Sequence, residues 1–66
     1  MAPLYPEIHV QLSDEDGNAF AILARTRRAL RRAGLDDDVI EKFTAEAESG
    51  DYDKLLQTVM RWVETS

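Results

Sequence analysis

Residues 7–12, EIHVQL, alternate apolar Ile8, Val10 and Leu12 with Glu7, His9 and Gln11, a period of two that predicts a strand with one buried face. The turn formers of SDEDGN, residues 13–18, end the alternation, and a helical period follows. Over residues 18–33, at about 100° per residue, Ala19, Ile22, Leu23, Thr26, Ala29, Leu30 and Ala33 gather on one face. Gly34 then stands where a left-handed residue ends a helix.

A second helix is predicted from LDDDVIEKFTAEAESG. Asp36 is placed to cap it, Leu35 and Ile40 have the spacing of a hydrophobic staple, and Gly50 lies just beyond its end. Its apolar strip is Val39, Ile40, Phe43 and Ala47. The third helix is predicted from near Asp51 through Trp62 or Val63. Tyr52, Leu55, Leu56, Val59, Met60, Trp62 and Val63 share one broad face, and Lys54, Gln57, Arg61 and Glu64 point away.

The expected fold is mainly α, of the α+β kind: one N-terminal strand followed by three helices, in a single domain over residues 1–66. Residues 1–6, with two prolines, form an extended entry arm. A lone strand leaves backbone donors and acceptors unpaired, and the pattern offers no second strand. The segment Ile8, His9, Val10, Gln11 and Leu12 is therefore expected to pair with the same segment of another copy, making a homodimer. Strand addition to a different protein, or an unpaired extended segment against the helices, are the alternatives.

The length sharpens this expectation, since a chain of 66 residues buries only about 60% of the surface its unfolded form exposes. With no cysteine, neither a disulfide nor a thiolate zinc site reinforces the fold, and a reducing cytoplasm is the expected compartment. No apolar run approaches a membrane span, and MAPLYPEIHV lacks the basic and hydrophobic regions of a signal peptide. A soluble, unprocessed protein with no membrane partner is expected.

EDGNAFAIL, residues 15–23, and SGDYDKLLQTVMRWV, residues 49–63, resemble a family of small acidic uncharacterised proteins of bacteria, plasmids and phages. The likeness spans most of the chain from the strand onward and implies a mobile-element or phage context, without bringing an activity or a catalytic residue.

Charge complicates the picture. The net charge is −5, yet residues 18–35 hold five arginines and no acid, +5, so the rest sums to −10. Arg25, Arg28 and Arg32 form a row opposite the apolar stripe of the first helix, flanked by Arg27 and Arg31. No carboxylate lies three or four residues from any of them within the helix, so local pairs cannot neutralise them. Cations in the last half of a helix complement its dipole, and ion pairs to acids elsewhere are the expected remainder. Recognition of an acidic protein partner is a further use. Nucleic-acid binding through this row is the competing function, but a helix-turn-helix reading fails on charge. The second helix would enter the groove with Asp37, Asp38, Glu41, Glu46 and Glu48 against one Lys42.

Catalytic chemistry finds little support. His9, the only histidine, falls on the polar side of the strand with no cysteine to activate. Paired carboxylates need a cleft that separates their pKa values, which a chain this small is not expected to enclose. Asp14, Asp16 and Asn18 are spaced two apart, but a calcium loop counted from Asp14 would put Gly17 fourth and Arg25 twelfth, where glycine sixth and glutamate twelfth are required. No metal, cofactor or enzymatic activity is expected.

The reading is thus a non-catalytic protein-interaction module, an accessory or inhibitor protein of a mobile element or phage that binds a larger host or defence complex. Its candidate contact residues are Arg25, Arg27, Arg28, Arg31, Arg32, Asp36, Asp37, Asp38 and Trp62. The aspartates can stand in for phosphates, whereas Trp62 and Tyr52, expected in the core of the third helix, have the character of interface anchors.

Overall fold

The computed structural model describes residues 2–12 and 18–66. Its elements run β1 (Tyr5–Val10), α1 (Ala19–Arg32), α2 (Asp37–Ala47), α3 (Tyr52–Trp62) and β2 (Val63–Thr65). The two strands pair in parallel, with all three helices in the connection between them, as parallel pairing demands a long crossover.

The second strand corrects the expectation of a lone one. Val63, expected in the last turn of a helix, leaves α3 with extended backbone, φ −136° and ψ 163°. Its side chain is 1% exposed. The amide of Leu4 donates to the Arg61 carbonyl at 3.0 Å, that of Ser66 to Val10 at 3.2 Å, and that of Leu12 to Ser66 at 2.7 Å. Three residues are too few to show a period of two, so only the pairing reveals them. β1 also starts earlier than expected and takes in Tyr5 and Pro6 from the entry arm. Tyr5 pairs with Val63 and His9 with Glu64, an irregular register at the strand's Pro6, which has no N–H to donate. Ile8 and Val10 are buried while Glu7 and His9 are exposed, as the alternation predicts. The strand expected to require a second copy thus has a neighbour in its own chain, although each strand of a two-stranded sheet keeps one edge without a strand beside it.

Local signals set the helix ends. The amides of Ala21, Val39 and Lys54 donate to the side chains of Asn18, Asp36 and Asp51 at 2.8, 3.1 and 3.0 Å, so one orphan donor in each first turn is satisfied. Gly34, at φ +93°, closes α1. Its amide bonds to Arg31 and that of Leu35 reaches back to Leu30, the paired bonds of a Schellman motif. Gly50 has no positive φ; a Cβ there would stand 3.0 Å from Cβ and Cγ of Lys54, a tight approach that a side chain at this corner would have to relieve by a small shift of Lys54.

Phe43 and Val59, with no exposed surface, lie at the centre of the core with Leu30 and Ile22. Trp62 stacks against two elements at once. Its ring centroid is 5.4 Å from Phe43 in edge-to-face contact and 5.9 Å from Tyr5. The buried hydroxyls of Thr26 and Thr58 donate to the carbonyls of Ile22 and Lys54, four residues earlier, and among the described residues no buried side-chain polar atom lacks a partner.

Candidate functional site

α1 and the corner between α2 and α3 leave a groove of about 330 Å³. Leu23, Ala47 and Leu55, buried core residues, form its floor. Phe20 and Tyr52 form its lips, 84% and 45% exposed. Local sequence explains the placement. Asn18 starts α1 so that Phe20 falls in the first turn, one turn before the core residue Leu23. Asp51 starts α3 so that Tyr52 is its first residue, beyond the reach of the core face. The charged lining residues, Glu48 and Asp51, are both acidic and exposed.

Tyr52 thus departs from the core position expected for it, as does Met60, which is half exposed. Of the broad face predicted for the third helix, Leu55, Val59, Trp62 and Val63 are buried, the last now in β2, and Thr58, outside that face, is buried as well. Trp62, expected in the core and also named as a candidate contact, is in the core at 5% exposed, and its indole N–H is occupied by Glu46 Oε1 at 3.1 Å. The aromatic side chains that reach the surface here are Phe20 and Tyr52. Phe20 is not among the candidates the sequence pattern marks, because it lies off the apolar stripe; a bulky aromatic beside, and not within, that stripe is the signal that would single it out.

The arginines divide into two groups. Arg25 is half buried, and its Nη1 donates to the Gln11 carbonyl at 3.0 Å, tying α1 to the chain just beyond β1. Arg27, Arg28 and Arg31 surround Ala24 in a shallow depression of about 240 Å³, and Arg32 is exposed beside it. Arg31 lies 3.9 Å from Asp37, both well exposed, a contact that contributes little in water. Among the described residues, Arg27, Arg28 and Arg32 pair with no carboxylate. Among the described residues the ion pairs expected for Arg27, Arg28 and Arg32 are thus not formed, and these three side chains face solvent. Arg61, on α3, pairs with Glu46.

Asp36 holds the α2 cap, while Asp37 and Asp38 are exposed in the first turn, where acids complement the helix dipole. Of the expected dimer strand, Ile8 and Val10 pack into the core, Leu12 is half buried, and His9 and Gln11 face solvent. Asp14 and Asp16 lie outside the described residues, and Asn18 serves as a helix cap. Among the described residues no three His, Cys, Asp or Glu side chains are grouped to hold a metal ion, and no helix is long and apolar enough to cross a membrane.

Compared with protein-family models, curated proteins and solved structures, the chain matches none.

Proposed function

We propose that this domain is a non-catalytic protein-interaction module whose docking surface is the groove between α1 and the α2–α3 corner. In the context implied by the family resemblance, it acts as a small accessory or inhibitor protein of a mobile element or phage and binds a larger host or defence complex. One observation carries the reading: Phe20 is 84% exposed at the lip of an apolar groove. Burying a phenylalanine side chain contributes about 1.5–3 kcal/mol, which is a large part of the net stability of a small domain. Among the described residues that contribution goes unused, and a bulky aromatic that a partner can bury is the kind of residue that dominates binding energies.

The test is site-specific photocrosslinking in producing cells, with benzoylphenylalanine at position 20 and, as a control, at position 42 on α2. A defined larger protein joined through position 20 alone, and bound by the purified domain in reconstitution, is the expected outcome. Equal labelling from both positions, or no adduct, would sink the proposal.

The second reading is nucleic-acid binding, favoured by the solvent-facing charge of Arg27, Arg28 and Arg31 around Ala24. The acids exposed along α2 weigh against it, since they repel a phosphate backbone. Homodimerisation through the remaining edge of β1 is proposed on edge-strand physics alone, and sedimentation equilibrium tests it.

A further inference from the structure

The chemistry of the groove narrows what it receives. We infer that its occupant is a short amphipathic segment of another protein, carrying one bulky apolar residue flanked by lysine or arginine. This rests on the docking reading above and names the partner's character.

The volume and the lining argue for an anchor. About 330 Å³ lies at the small end of the roughly 300–1,000 Å³ usual for ligand pockets, enough for an inserted side chain and too little for the whole face of a helix. Leu23 and Leu55 below, with Phe20 and Tyr52 on either side, offer such a side chain apolar contact. Around it the charge has one sign. Glu48 and Asp51 are the charged lining residues; Asp51 caps α3 through Oδ1, and Glu48 has no ion-pair partner among the described residues. An approaching cation is attracted, and an anion or an acidic peptide is repelled.

The same chemistry weighs against several other occupants. A second copy docking groove to groove would satisfy Phe20, but a two-fold interface is self-complementary and would bring the two acidic rims together. A second copy offering its arginine depression has the right charge, but around Ala24 it presents no bulky apolar side chain to fill the space. Residues 13–17, SDEDG, carry three acids and no bulky apolar residue, so by composition they match neither the floor nor the rim. Nucleic acid meets carboxylates where it needs cations.

The experiment titrates the full isotopically labelled chain with two helical peptides that share one leucine pattern, one with lysine at its polar positions and one with glutamate, and follows backbone amide shifts. The lysine peptide is expected to shift residues 19–23 and 47–55. Its affinity should fall about tenfold or more in Phe20→Ala and several-fold in Glu48→Gln, with neither variant altering the unbound spectrum beyond its own neighbours. If both peptides shift these amides with equal affinity, the basic partner is wrong and the docking surface stands. If neither does, both are wrong. Shifts spread over Asp37, Asp38 and Glu41 and indifferent to Phe20→Ala would expose mere charge attraction and overturn the inference.

Discussion

The indole N–H of Trp62 donates to Glu46 Oε1 across 3.1 Å, tying the end of α3 to the last turn of α2. The same carboxylate pairs with Arg61, so a single side chain serves two successive residues just where the chain leaves α3 to become β2.

Removing this acceptor leaves a largely buried N–H without a partner. Glu46→Ala is expected to lower stability by about 1–3 kcal/mol, measured by urea denaturation with Trp62 fluorescence. Glu46→Gln keeps an acceptor and loses only a partly exposed ion pair, so its cost should stay below about 1 kcal/mol. Equal costs for the two would show that the charge and not the hydrogen bond matters.

Two phenylalanines should answer oppositely to truncation. Phe43 has no exposed surface, and Phe43→Ala is expected to cost about 3–5 kcal/mol, enough to unfold much of a domain this small. Phe20→Ala should change stability by no more than about 0.5 kcal/mol. A large loss at position 20 would reveal a structural role and remove the main support for a docking surface.

Asp36 caps α2, so Asp36→Ala is expected to cost about 0.5–2 kcal/mol, whereas asparagine caps as well as aspartate. Replacing Asp36, Asp37 and Asp38 together by asparagine therefore removes charge while keeping the fold, as circular dichroism melting can verify. If the aspartates imitate phosphates, this triple variant should bind the crosslinked partner more weakly; wild-type affinity would refute the mimic.

Ending the chain at Trp62 removes the buried Val63 and the Ser66 groups that pair with Val10 and Leu12. The loss of Val63 alone is expected to cost about 1.5–3 kcal/mol, and the amide of Leu12 should exchange faster with solvent. An unchanged exchange rate at Leu12 would mean that the parallel pairing does not persist in solution.

The arginine depression is tested with a short mixed-sequence duplex at two salt concentrations. On the protein-docking reading the wild-type chain and the Arg27→Gln, Arg28→Gln, Arg31→Gln triple variant alike leave the duplex unbound. Binding by the wild-type chain would instead place nucleic acid first, with a log–log salt slope that falls by about 0.9 for each phosphate the variant no longer neutralises.

Local chemistry in the sequence determined the three helices and most of their ends. Asp36, Asp51 and Gly34 act on backbone groups within a few residues, and the spacing of Ile22, Leu23, Thr26 and Leu30 needs only the 3.6-residue turn to define a buried face. The alternation at Ile8 and Val10 similarly set which side of β1 turns inward. Tertiary structure alone decided what that strand pairs with, because β2 is three residues long and acquires its identity from a neighbour more than fifty residues earlier in the chain. It also decided which aromatic residues reach the surface. Trp62 and Tyr52 share a broad helical face by periodicity, but Tyr5 of β1 and Phe43 of α2 pack on Trp62, whereas Tyr52 stands at the rim of the groove, 45% exposed. Periodicity specifies direction around a helix axis; how far along that axis the neighbours extend is set by packing, and this is why the groove and Phe20 became visible only in the folded chain.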